Sequence, residues 1–162
     1  MLLPILRWPD PRLSQLCAPA VLDDDLRVLA ADMLETMYAA PGRGLAAPQV
    51  GRLVRMFVMD VTWKEGTRSP QVFVNPEIVG LLGDRVTGPE GCLSIPGPVT
   101  EVERAEVAHL RWTDLDGQQN EAVLSGFAAV CAQHEYDHLD GILTLDRLSP
   151  NARARAEAEV LA

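Results

Sequence analysis

Residues 126–139, GFAAVCAQHEYDHL, constrain this chain more than any other segment. The stretch has no proline, and Phe127, Val130, Cys131, His134 and His138 recur at steps of three and four, the period of one helix face. It ends in His134-Glu135-Tyr136-Asp137-His138, an HExxH pattern. At helical geometry the two histidines stand about 40° apart and one turn apart, so both imidazoles can reach a single ion. Glu135 lies beside them, where it can hydrogen-bond a water on that ion and take its proton.

A hydrolytic metal site needs three protein ligands and one open position. The extended pattern with a third histidine downstream fails, because Thr144 stands there. His109, the only other histidine, lies in a strand-like stretch and reads as structural. Cys92 is the better candidate. It sits in Glu90-Gly91-Cys92-Leu93-Ser94, where Gly91 allows close backbone approach and a thiolate would bind a divalent metal strongly. Cys17 and Cys131 read as buried packing. Wide, unequal spacing of these three cysteines argues against a disulfide framework and suits a reducing compartment. Residues 42–49, GRGLAAPQ, combine two glycines, small alanines and one uncharged amide, Gln49, without the spacing of a phosphate-binding loop.

At 162 residues and 48% hydrophobic composition, the chain is expected to form a single domain over residues 1–162. Its net charge of −9, with Lys64 the only lysine, leaves no basic face for phosphate contacts, so direct nucleic-acid binding is not expected. No apolar run approaches the roughly 20 residues that span a bilayer, and Pro4, Pro9 and Pro11 break the opening segment, so a cytoplasmic protein without a membrane partner is expected. Asp10-Pro11 predicts a short helical turn over 11–15. Residues 23–25, all Asp, precede a helix that should stop near Pro41-Gly42. Residues 53–61, 71–74 and 105–112 read as strands, Asp116-Gly117 as a hairpin turn leading into a partner strand, and Ser149-Pro150 as the start of a last helix. The order of elements predicts an α+β fold, mainly antiparallel, packed around the HExxH helix.

Residues 42–49, 90–94 and 133–138 together resemble the three signatures of the peptide deformylase family: a GxGLAAxQ-type loop, EGCLS and QHExDH, in that order. The likeness covers roughly residues 3–150. It implies one divalent ion held by Cys92, His134 and His138, ferrous iron in cells with zinc, nickel or cobalt able to substitute. It implies Glu135 as general base and then acid, with Gln49 and the backbone N–H of Leu93 donating to the oxyanion. The substrate implied is an N-formyl-methionyl peptide, losing formate. Gly44 and Arg43 would flank the substrate backbone, and Phe127, Val130 and Cys131 would wall the pocket for the methionine side chain.

Three features depart from the family pattern. Arg43 stands where Val or Ile is usual; its guanidinium either snorkels into solvent or contacts the substrate backbone or a C-terminal carboxylate, favouring short formyl peptides. Gly97-Pro98-Val99 replaces a basic residue common after EGCLSIP. The last twelve residues are charge-balanced where many members carry a longer basic helix, so ribosome association is expected to be weak and the chain to be a divergent second copy. The competing readings are a related metal-dependent amidase with a different substrate range, and a silent metal- or peptide-binding relative.

Overall fold

The computed structural model describes residues 1–162. Three helices, α1 (Asp24–Ala39), α2 (Gly126–Leu139) and α3 (Pro150–Leu161), accompany one five-stranded antiparallel sheet of order β1-β2-β3-β4-β5. The strands are β1 (Gly44–Ala46), β2 (Met56–Met59), β3 (Gln71–Cys92), β4 (Ile95–Thr113) and β5 (Gln119–Ser125). No helix is long and apolar enough to cross a membrane.

The helices start where their side chains allow. Asp23 accepts from the Leu26 amide at 2.8 Å and opens α1, and Ser149 accepts from the Ala152 amide and opens α3. The helical turn expected after Asp10 is a 3-10 turn, Pro11–Ser14. Gly117, at φ 83°, makes the β4–β5 hairpin as Asp116-Gly117 predicts.

β2 shows why the sheet's short end reads as a continuous apolar run. Side chains alternate between faces along a strand, and both faces here are covered. Met56 and Val58 join Leu45, Val74 and the α1 residues Leu29, Met33 and Met37. Phe57 and Met59 point the other way, with Ala46, Phe73, Leu110, Ala129 and Ala132, against α2. The Phe57, Phe73 and Trp112 rings succeed one another at 4.6 and 4.5 Å. A third cluster seats α3 and the turn Thr144–Arg147 on Leu13 and Ile95.

The largest difference from the sequence expectation lies in β3 and β4, which run far beyond residues 71–74 and 105–112. Asn75-Pro76, Gly80 and Gly83 punctuate β3 like turns, but the structure absorbs them in register shifts between Val74 and Glu77, Ile78 and Gly80, and Leu82 and Arg85. Bulges are where a strand tolerates Pro and Gly. The pair closes on itself at Cys92 opposite Ile95, leaving Leu93-Ser94 as the hairpin tip.

Candidate active site and metal centre

α2 lies between β4 and β1, and it approaches closely because Ala129 and Ala132, facing the sheet, are small and fully buried. His134, Glu135 and His138 are therefore buried as well. The β3–β4 hairpin tip meets the same helix from the side. It brings Cys92 to His134 and His138, with one donor atom of each residue within 4.8 Å of the others. Cys92 Sγ stands 3.5 Å from His138 Nε2.

These residues fit a divalent ion. A sulfur and two imidazoles are suitable donors, and their number leaves a position open. His134 Nδ1 bonds Glu90 Oε1 at 2.9 Å, which would keep a proton on Nδ1 and turn Nε2 to a bound ion once that nitrogen is deprotonated. His138 Nδ1 and Glu135 Oε1 are buried with no hydrogen-bond partner. Burial alone would lower the His134 pKa, but the charge of Glu135 and the bonds to Cys92 and Glu90 outweigh it and hold the pKa well above its usual value. Burial and the neighbouring His134 push His138 well below. The site is thus a convergence of anionic groups on buried imidazoles, which a cation would balance.

Burial pushes the Glu135 pKa up to about 7, which suits a group that takes a proton and later returns it near neutral pH. The 3-10 turn Ala47–Val50 buries Gln49. Gln49 Oε1 accepts from the Ala46 amide at 2.9 Å, and Nε2 donates to Ser94 Oγ at 3.0 Å and lies 3.7 Å from Cys92 Sγ. The donor end of the amide is thereby aimed at the hairpin tip.

A cleft of about 330 Å³ opens above these groups. Arg43, Gly44, Gln49, Cys92, Leu93, Phe127, Val130, Cys131, His134 and Glu135, all singled out from the sequence, line it. His138 lies beneath, only 1% exposed. Gly44 has no side chain for a steric reason: a Cβ there would come within 2.5 Å of Glu135 Oε2 and 2.9 Å of Cys131 Sγ. Burial raises the Cys131 pKa well above the ordinary thiol range, so Cys131 is a neutral wall residue. Arg43 is neither free in solvent nor pointing away: its guanidinium lies 5.0 Å from the Phe127 ring centroid, and Nη2 pairs with Glu65 at 3.1 Å. His109 pairs with Glu121 on the sheet surface, away from the site, as a structural histidine would. The sequence offered Ser94 and Asp137 only as members of their motifs, with no role, and gave no sign of Arg104. Arg104 donates two bonds to Glu90 and one, at 2.6 Å, to Asp137, so it anchors the carboxylate that orients His134.

The family model described as polypeptide deformylase matches residues 2–154. The chain belongs to the polypeptide deformylase family. Members are metal-dependent hydrolases that remove formyl groups. A peptide deformylase of Alkalilimnicola ehrlichii is 54% identical over 155 residues, covering 95% of this chain and 86% of that one. A protein named peptide deformylase 2, from Xanthomonas campestris, is 49% identical over 156 residues, 94% of this chain and 90% of its own. Among solved structures, the deformylase of Legionella pneumophila superposes with a TM-score of 0.93 at 40% identity, covering 99% of this chain and 94% of that one. The Synechococcus elongatus deformylase, in complex with actinonin, superposes at 0.90 and 38% identity, covering 98% and 85%.

Proposed function

We propose that this cleft hydrolyses the formyl amide of N-formyl-methionyl peptides, with Cys92, His134 and His138 holding one divalent ion, ferrous iron in cells, and zinc, nickel or cobalt able to replace it. The observation that carries the reading is Glu135, buried with one carboxylate oxygen unpartnered beside three converging metal-type donors. When bound, the ion makes water acidic enough to attack near neutral pH and draws electron density from the formyl oxygen.

The chain's own groups do the rest. Glu135 accepts the proton of the attacking water and passes it to the departing amine, a role that its buried place beside the proposed ligands suits. Gln49 Nε2 and the Leu93 N–H donate to the developing oxyanion, and Ser94 and the Ala46 amide keep Gln49 in that orientation. β1 is an edge strand, so a substrate backbone can add beside Gly44, its methionine side chain entering between Phe127, Val130 and Cys131. Such substrates arise on nascent chains in the cytosol. Direct nucleic-acid contact is not part of this reading. In α3 Arg153 is paired with Asp146 and Glu157, and Glu157 and Glu159 balance the charge of Arg153 and Arg155, so the helix offers no net positive charge to ribosomal RNA; co-sedimentation with ribosomes at physiological salt would contradict this.

The deciding experiment is formate release from formyl-Met-Ala-Ser by anaerobically prepared, ferrous-loaded protein. Release should be rapid and fall roughly 10²- to 10⁴-fold in Glu135→Ala. Equal activity on acetyl-Met-Ala-Ser would favour a broader amidase instead, and no release from protein carrying one ion per chain would favour a silent relative.

A further inference from the structure

The rim of the cleft carries positive charge that the proposed chemistry does not use. Lys64, the chain's only lysine, lines the cleft with Arg43, although the net charge of the chain is −9. The fold places both there. Lys64 belongs to the 3-10 turn Trp63–Glu65. That turn is pinned to the rim: Trp63 Nε1 donates to the Gly42 carbonyl at 2.9 Å, the Tyr38 ring meets the Trp63 ring edge-on at 5.3 Å, and the Asp60 amide donates to the Arg43 carbonyl at 2.8 Å. Lys64 Nζ rests 5.7 Å from the Trp63 ring centroid and joins none of the molecule's ion pairs.

Arg43 is held but not saturated. Glu65 takes one nitrogen, Nη2, while Nε is buried without any partner. The Glu65 side chain is 64% exposed, so giving up that pair to water costs little. Phe127, against which Arg43 stacks, is also a wall of the methionine pocket. A peptide whose backbone adds beside β1, with its methionine in that pocket, would run along the part of the rim that carries Arg43 and Lys64.

We infer that Arg43 and Lys64 form a carboxylate-selecting subsite: peptides bearing a carboxylate within two or three residues after formyl-methionine are the preferred substrates. The inference rests on the activity proposed above. A guanidinium presents a fork that matches a carboxylate, and a nearby ammonium adds attraction without demanding geometry. The carboxylate comes either from the C-terminus of a short peptide or from an Asp or Glu side chain.

The test compares kcat/KM for formyl-Met-Ala-Ser as free acid and as C-terminal amide, and for the amides of formyl-Met-Ala-Glu and formyl-Met-Ala-Gln. The carboxylate-bearing member of at least one pair should be favoured roughly three- to tenfold at low salt. Preference in the first pair alone identifies the chain terminus; preference in the second identifies the side chain. The ratio should fall toward one in R43I/K64Q, and in the wild-type protein at about 0.5 M salt, where exposed charges are screened. The salt series stands even if the double variant misfolds. Turnover with ratios of one in both pairs overturns the subsite and leaves the activity intact. Absence of turnover overturns the activity instead, and calorimetric titration of Met-Ala-Ser acid against its amide then decides the subsite: tighter binding of the acid supports it, equal binding overturns it.

Discussion

The geometry of the site is tied to a carboxylate that is not one of the three proposed ligands. Glu90 is buried between His134 and Arg104, and burial alone would raise its pKa, yet the hydrogen bonds from those two neighbours hold it below the usual value. It therefore stays a carboxylate and keeps the His134 proton on Nδ1. Glu90→Gln retains the shape but turns one acceptor into a donor facing Arg104. Truncating one member of a buried ion network typically costs about 3–5 kcal/mol, and losing the carboxylate behind a ligating histidine weakens metal binding roughly 10- to 100-fold. Urea unfolding and competition with a chelator should show both effects; unchanged metal affinity would demote Glu90 to a packing role. The two histidines were legible from their helical spacing and Cys92 from the EGCLS motif, and the structure brings the three together. Arg104 was not. It follows Thr100 and Val102 on the inward side of β4, a place where a charged side chain survives only if partners are already waiting, and those partners come from β3 and α2.

Among the elements, α2 was readable to its ends, since an uninterrupted 3.6-residue period is the strongest local signal a chain can carry. β3 was not, because its Pro and Gly positions serve as bulges only after β4 supplies a partner to slip against. Local chemistry specified the turns and caps more directly. α1 is the test case, for Asp23 is its only side-chain cap at the N-terminus. Asp23→Ala should lower the stability by about 0.5–2 kcal/mol. The urea midpoint should shift without a change in slope, since the surface exposed on unfolding is unaltered. A midpoint equal to wild type would mean that packing of Leu29, Met33 and Met37, not the cap, sets the end of the helix.

At the scale of the whole molecule, the three proposed ligands belong to two separate hydrophobic clusters of the core. His134 and His138 ride on α2, whose Ala129, Cys131 and Ala132 are buried with Phe57 and Phe73, while Cys92 packs with Leu13, Ile95 and Leu143 in the cluster under α3. An ion held by all three would join the two clusters, and it would bind only the folded chain. Ligand-linked stabilisation at 100 times the dissociation constant is about 2.7 kcal/mol. For a chain of this size that corresponds to a rise of roughly 5–10 °C in Tm. Protons compete for the same imidazoles and thiol, so the rise should shrink as pH falls from about 7.5 to about 5.5, never grow. Thermal melts of metal-free and nickel-loaded protein across that range check both the size and the sign. Cys92→Ala cuts the tie to the cluster under α3 and should remove most of the increment; if the variant keeps it in full, the ion is held by α2 alone and the hairpin tip is not a ligand.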